Sequence, residues 1–117
     1  MLPKQYRLKK RIAFKATYRT GTSFHKDGIT LFCGKKKTDE KPTKIGFVVS
    51  KKIHKRAVKR NRIKRLMRES VRLHIKEFSD FDTKYISLIF VASSKLLNKN
   101  FNEINNGIKK LLRTIND

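Results

Sequence analysis

The residues with the clearest chemical capacity lie in one stretch, residues 55–69, with the sequence KRAVKRNRIKRLMRE. It holds eight Lys and Arg and a single acid, Glu69. No Asp or Glu occurs anywhere from Lys41 to Arg68. Lys and Arg side chains are the groups that most often contact the phosphates of nucleic acids. The stretch therefore predicts a surface that binds a polyanion.

Side chains for hydrolytic chemistry are not gathered in the sequence. A protein nuclease with two metal ions needs several carboxylates that converge on one site, whereas the nine acids of this chain fall mostly in predicted turns or at helix ends. The three histidines, His25, His54 and His74, are scattered, with no metal-binding pair at short helical spacing. We therefore expect no catalytic residue and no bound metal on the protein itself. Cys33, the single cysteine, is interpreted as a small buried hydrophobe.

The composition favours the same kind of partner. The formal net charge is +22 over 117 residues, from 31 Lys and Arg against 9 Asp and Glu. A field of that sign attracts nucleic acid or an anionic membrane. No apolar run approaches the roughly 18 residues that a membrane span requires, and the N-terminus lacks the apolar segment of a signal peptide. We expect a single RNA-binding domain over residues 1–117, located in the cytoplasm and not associated with a membrane.

Periodicity and turn signals predict the elements that position these residues. We predict, in order, a helix over residues 8–19, strands over 23–26 and 29–33 joined by a turn at Asp27-Gly28, a charged turn over 35–43, a strand over 45–50, the basic helix, a strand over 85–91 and an amphipathic helix from Phe101 to Ile115. Asn100 and Glu103 predict a capping box for the last helix. The order α-β-β-β-α-β-α predicts an α+β fold with a mixed four-stranded sheet, in which the basic helix is the crossover between two strands.

The basic helix is predicted to have two different faces. At about 100° per residue, one stripe is suited to packing on the sheet, and it contains Ile63, Leu66, Met67, Ser70, Val71, His74 and Phe78. His74 is therefore interpreted as a core-edge residue and not as a ligand. On the other face, cations three and four residues apart repel each other, and cations near the start of a helix oppose its dipole. A bound polyanion would offset both costs.

The residues that we predict to bind RNA are Lys51, Lys52, Lys55, Arg56, Lys59, Arg60, Asn61, Arg62, Lys64, Arg65 and Arg68. Asn61 is the one uncharged member, and its amide can donate and accept at once. Two interpretations of Asn61 stay open: it contacts a base edge or a 2′-hydroxyl, or it caps an irregular helix start.

Three aromatic residues suggest a second RNA contact. Phe14 and Tyr18 lie four apart on the first predicted helix. In the strand over 29–33, alternation directs the odd positions to the core and Phe32 to the other face. Aromatic rings beside a cationic track commonly stack the bases of single-stranded RNA. The three rings are therefore predicted to line a cleft, although an aromatic pair four apart on a helix is also typical of core packing.

Residues 50–69, SKKIHKRAVKRNRIKRLMRE, resemble the signature of the protein subunit of bacterial ribonuclease P, which is an Arg-Asn-Arg followed by Lys-Arg and a further Arg. The matching positions are Arg60, Asn61, Arg62, Lys64, Arg65 and Arg68. Residues 7–23, RLKKRIAFKATYRTGTS, are similar to the start of the same family, which has two aromatics four apart and a Gly; Tyr18 stands where many relatives carry Phe. The resemblance extends from about Arg7 to the end of the chain, although the last helix matches only in kind.

The resemblance implies a division of labour. In that family a catalytic RNA with bound Mg²⁺ removes the 5′ leader from precursor tRNA by endonucleolytic hydrolysis, and the small basic protein assists it by binding both this RNA and the single-stranded leader. The implied partners are therefore the catalytic RNA subunit and precursor tRNA with its leader, and the implied contact for the leader is the cleft of Phe14, Tyr18 and Phe32. The family fold joins two parallel strands by a left-handed crossover through the helix that bears the motif.

Other RNA-binding and surface-binding functions remain as alternatives. A ribosomal or other structural RNA-binding protein would be equally basic and is the main alternative. A DNA-binding regulator usually has a dimerising element beside its basic helix, and none is evident, so DNA is not an expected partner. A membrane-surface protein needs a free apolar face, whereas the apolar stripe of the basic helix is required by the core.

Overall fold

The computed structural model describes residues 3–36, 42–77 and 85–116. The elements in these ranges are, in chain order, α1 (Arg11–Arg19), β1 (Thr22–Lys26), β2 (Ile29–Cys33), β3 (Lys44–Val48), α2 (Ala57–Glu77), β4 (Ser87–Ala92) and α3 (Phe101–Asn116), with short 3-10 helices at Lys4–Tyr6 and Ser94–Asn98. The predicted order of helices and strands is confirmed. Part of the predicted charged turn, residues 37–41, and Phe78 of the predicted stripe lie outside the described residues.

The four strands form one mixed sheet in the order β1-β2-β4-β3. β2 pairs antiparallel with both β1 and β4, whereas β3 and β4 are parallel, with Ile45 opposite Leu88. α2 lies between β3 and β4 in the chain. Parallel neighbours require such a crossover, because the end of the first strand and the start of the second lie at opposite ends of the sheet. The predicted α+β fold, with the basic helix as the crossover, is confirmed.

The main core lies between one face of the sheet and the helices α2 and α3. Leu31, Leu88 and Phe90 share this face and are fully buried. The predicted stripe of α2 contributes from the helix side: the buried members are Ile63, Met67, Ser70, Val71 and His74, with Leu66 partly buried. Ser70 Oγ donates to Asn105 Oδ1 at 2.6 Å and so joins the two helices. Because α2 buries this stripe, its charged side is left for solvent and ligands.

The first helix begins three residues later than the sequence predicts. The Leu8 N–H donates to the Ile45 carbonyl at 2.9 Å, and Arg7 forms a parallel bridge with Ile45. This backbone pairing covers the free edge of β3, which would otherwise present unpaired groups. Residues 8–10 are therefore extended, and the helix starts at Arg11.

The other boundaries agree with the prediction to within about two residues. Asp27 and Gly28 both have positive φ, 51° and 86°, which is the backbone of a two-residue turn that matches strand twist. At α3, the Glu103 N–H donates to Asn100 Oδ1 at 2.9 Å, and the Asn100 N–H donates to Glu103 Oε1 at 3.3 Å. The hairpin turn and the capping box are both confirmed.

Candidate nucleic-acid interface

The charged side of α2, called here the α2 surface, presents seven residues of the predicted RNA-binding set. Lys59, Asn61 and Arg65 are exposed, and Arg60, Arg62, Lys64 and Arg68 are half-buried. No acidic residue lies in the first turn of the helix. The buried stripe fixes the rotation of α2 about its axis. The helix therefore cannot rotate to bury these seven side chains.

The segment before α2 carries the other four predicted cations, Lys51, Lys52, Lys55 and Arg56, all of which are exposed. Its backbone is held from within the helix, because Arg60 Nη1 donates to the carbonyls of His54 and Lys55, each at 2.8 Å. His54 Nδ1 also accepts from the Arg56 N–H at 3.0 Å. Arg60 thus positions the segment, a role that its sequence context did not indicate.

Two further positions of the motif have defined local roles. Arg62 Nη2 donates to the Lys99 carbonyl at 3.3 Å, which ties α2 to the start of α3. Asn61 is the fifth residue of α2 and its side chain is exposed. A capping residue flanks the first turn of a helix, so the interpretation of Asn61 as a cap is wrong.

A cationic cavity connects the α2 surface with α1. It has a volume of about 320 Å³, and its walls include Arg7, Lys9, Lys64, Arg68 and Phe14. The first two residues come from the N-terminal segment that covers β3, and the next two come from α2. Four cations therefore surround a space beside an aromatic ring, which is a combination suited to a phosphate and its nucleotide.

The three predicted aromatics lie on the second face of the sheet, away from the α2 and α3 side. The rings of Tyr18 and Phe32 meet edge to face with centroids 4.9 Å apart. Phe14 lies over Gly46, where an added Cβ would come within 2.6 Å of the Phe14 Cζ. Tyr18 is 39% exposed, and Phe14 and Phe32 are half-buried. Partial burial raises the pKa of the Tyr18 hydroxyl above its ordinary value.

Strand register shows which residues form the floor beside these rings. One row across the sheet lies under α1 and consists of Ser23, Phe32, Ile89 and Gly46. The next row on the same face consists of His25, Thr30, Val91 and Val48. Its members are half-buried except for His25, which is exposed. This floor was not predicted from the sequence, since its members come from four separate strands and share no local pattern.

Small polar residues fix α1 above the sheet. Thr17 is buried, its Oγ1 donates to the Ala13 carbonyl at 2.8 Å, and Ser87 Oγ lies 2.6 Å from it. Because the Thr17 proton is directed to Ala13, Ser87 is the donor in that pair. Thr20 Oγ1 donates to the Cys33 carbonyl. These bonds hold α1 against the sheet. We keep the name cleft for the predicted site of Phe14, Tyr18 and Phe32, together with the adjoining row of Thr30, Val91 and Val48.

The described residues hold no metal-binding cluster, and the thiol of Cys33 is buried. Among residues 3–36, 42–77 and 85–116, no group of three or more His, Cys, Asp or Glu is placed to hold a metal ion. Cys33 is fully buried, and burial raises the pKa of its thiol to about 11. No helix within the described ranges has the length and apolar character to cross a membrane.

Comparison with known proteins identifies a family for this chain. The family model described as Ribonuclease P matches residues 2–116. The chain is similar to the ribonuclease P protein component of Clostridium kluyveri, with 37% identity over 92% of each chain. It is also similar to that of Clostridium novyi, with 35% identity over 96% of this chain and 95% of the relative.

The fold has the same relatives. The structure of the Staphylococcus aureus RNase P protein superimposes with a TM-score of 0.79 at 26% identity, covering 97% of this chain and all of that one. Sequence and fold comparisons therefore agree over nearly the whole chain.

Proposed function

We propose, from the premise that this chain belongs to the ribonuclease P protein family, that its α2 surface binds the RNA subunit and its cleft binds the 5′ leader of precursor tRNA. The protein is a component of ribonuclease P, a ribonucleoprotein that acts in tRNA processing, and an RNA subunit is its partner. Family membership decides against the ribosomal alternative. What remains to be proposed is which residues bind which RNA.

The observation that carries the proposal is the one-sided charge of α2. Its cations lie on the solvent side, and the one acid of residues 55–69, Glu69, is bonded to Arg72, whose Nε donates to Glu69 Oε1 at 3.1 Å. Residues 55–69 contain no other Asp or Glu that could pair with the cations at positions 59, 64, 65 and 68. Like charges at these spacings cost a few tenths of a kcal/mol per pair. Phosphates of a structured RNA offset that repulsion and release counterions on binding.

The leader is the ligand that suits the cleft. Its walls are aromatic and its floor is half-buried and largely apolar, which favours unstacked bases over duplex RNA. The cationic cavity of Arg7, Lys9, Lys64 and Arg68 adjoins Phe14 and links the cleft to the α2 surface. A single strand that stacks on Phe14 can therefore place its next phosphate among these cations. This continuity supports one RNA path from the α2 surface to the cleft.

The proposed chemistry is divided between RNA and protein. Mg²⁺ held by the RNA subunit supplies the hydrolytic step, and the polypeptide contributes no catalytic side chain. The protein contributes in two ways: it holds the substrate in place, and it screens the repulsion between two polyanions. Both effects are greatest when Mg²⁺ is scarce, so we expect the benefit of the protein to be largest at low Mg²⁺ concentration.

The experiment for the α2 surface is a salt titration of binding to the RNA subunit. Each phosphate contact that is lost reduces the slope of log K against log salt by about 0.7 to 0.9. We expect Arg65→Ala with Arg68→Ala to weaken binding and flatten the slope, whereas Arg72→Ala, whose guanidinium is bonded to Glu69, serves as the matched control and leaves the slope nearly unchanged. Equal slopes for the double variant and the wild type, with both folded, would contradict the assignment.

The experiment for the cleft is precursor binding by the reconstituted complex with long leaders and with leaders of one nucleotide. Loss of a stacked base costs about 1 to 3 kcal/mol. Phe14→Ala, Tyr18→Ala and Phe32→Ala should each lower affinity for the long-leader precursor and leave mature tRNA binding unchanged. If the three variants lose affinity equally on both substrates and also lose stability in a thermal melt, the rings serve packing and the leader binds elsewhere.

A further inference from the structure

His25 lies at the open end of the cleft floor. It follows Thr30 in the row that also holds Val91 and Val48, and β1 is the outer strand on that side. The imidazole is exposed, and its Nδ1 lies 2.9 Å from Thr30 Oγ1. This hydrogen bond uses one ring nitrogen across the strand pair and leaves Nε2 as the nitrogen for an external ligand. The floor therefore ends in an imidazole that is held by the neighbouring Thr30 hydroxyl.

We propose that His25 is a further RNA-binding residue: its protonated imidazole contacts a phosphodiester of single-stranded RNA that lies in the cleft. This inference rests on the proposed function of the cleft. The imidazolium has two N–H donors. One donates to Thr30 Oγ1, and the other, Nε2–H, is directed to a phosphate oxygen. Because a phosphate stabilises the imidazolium, binding of the RNA and protonation of His25 favour each other.

The charged surroundings of His25 are compatible with that role. Charged residues on the elements around it include Arg19 at the end of α1, Lys26 and Asp27 at the hairpin turn, and Lys110 of α3. Asp27 Oδ2 pairs with Lys110 Nζ at 3.2 Å. α3 packs on the opposite face of the sheet, where Phe24 joins the core. Among these groups the one carboxylate is already paired with a cation, so none of them supplies a free anion to His25.

The position of His25 also predicts which part of the RNA it contacts. Three interstrand spacings of about 4.8 Å separate β1 from β3, which is about 14 Å across the sheet. Phe14 lies over Gly46 on β3, and His25 lies on β1. One nucleotide cannot contact both side chains. His25 thus extends the binding track beyond the nucleotide that Phe14 stacks, and its contribution depends on leader length.

The test is the affinity of the reconstituted complex for a long-leader precursor between pH 5.5 and 8.5. An exposed charge contact corresponds to about a two- to fivefold change in affinity, so wild type should bind about that much more tightly at pH 6 than at pH 8. His25→Ala should lose this pH dependence, and His25→Lys should bind tightly at both pH values because its charge is permanent. Mature tRNA, which lacks the leader, should show no difference among the three proteins.

The inference is wrong if His25→Ala binds the long-leader precursor with the same affinity as wild type at every pH and keeps its preference for the leader. A different result bears on the cleft itself: if wild type binds long-leader and one-nucleotide precursors equally, the proposed function of the cleft fails first. The exposed side chain of His25 makes no core contact, so a melt of His25→Ala should match wild type and exclude misfolding as the cause.

Discussion

Gly46→Ala is the substitution whose effect on the cleft follows most directly from geometry. An alanine Cβ at this position would lie 2.6 Å from Phe14 Cζ and 2.7 Å from Phe14 Cε1. Non-bonded carbons prefer about 3.5 to 4.0 Å, so the ring would have to move by about 1 Å. Overpacking of this kind costs about 1 to 3 kcal/mol, and removing a glycine from a strand returns about 0.5 to 1 kcal/mol. We expect a net loss of up to about 2.5 kcal/mol in the free energy of unfolding.

Urea denaturation measures the loss, and a second glycine provides the control. Gly107 lies in α3, where an added Cβ would meet Asp27 Cβ and Ile29 Cδ1 at 3.4 Å. That contact is tolerable, so Gly107→Ala should be neutral or more stable by up to about 1 kcal/mol, because alanine favours the helix. In Gly46→Ala the displaced ring should also weaken binding of the long-leader precursor while mature tRNA binds normally.

A double variant separates crowding from other causes. Gly46→Ala with Phe14→Leu should regain stability relative to Gly46→Ala alone, because the smaller side chain yields to the new methyl group, but it should not regain leader affinity. The coupling energy between the two sites is read from the double-mutant cycle. If Gly46→Ala is as stable as wild type and the cycle shows no coupling, Phe14 does not rest on Gly46 and the description of this wall of the cleft is wrong.

Three other predictions test separate features. Asn61→Asp should weaken binding to the RNA subunit without lowering the melting temperature, since residue 61 is exposed inside α2 and is not a cap; equal affinity would remove Asn61 from the interface. Thr17→Val should cost about 1 to 3 kcal/mol of stability, because it leaves the buried Ser87 hydroxyl without its acceptor, and adding Ser87→Ala should recover most of that loss in urea denaturation. Burial raises the pKa of the Cys33 thiol to about 11, so the protonated thiol stabilises the fold; this stabilisation should be complete below the ordinary thiol pKa and should fall as pH rises from about 9 to 11. Alkylation of Cys33 at pH 8 should proceed only as fast as the protein opens. Faster labelling of the native protein would contradict burial of the thiol.

Some features of the interface depend on local interactions and were therefore readable from the chain alone. The apolar stripe of α2 follows from the 3.6-residue period of a helix, and it determines that Lys64, Arg65 and Arg68 remain on the solvent side. The Asp27-Gly28 turn and the Asn100 capping box each depend on a few adjacent residues. The resemblance of residues 50–69 to ribonuclease P proteins identified the family, which the comparisons over most of the chain confirmed.

Other features depend on which distant segments pair, and only the tertiary structure decided them. The row of His25, Thr30, Val91 and Val48 exists because β4 inserts between β2 and β3, and strand order reflects packing of the whole core, for which no short stretch carries a signal. The sequence likewise predicted residues 8–10 as part of a helix, but the Leu8 N–H donates to the Ile45 carbonyl at the edge of β3. Arg60 in the motif is a second example. Its charge predicted phosphate binding, whereas its hydrogen bonds to the carbonyls of His54 and Lys55 depend on the path of the segment before α2. The sequence by itself determined the chemistry of the side chains and the faces of the helices, because these are short-range properties; the tertiary structure decided which of those side chains meet, because strand pairing and loop closure are long-range.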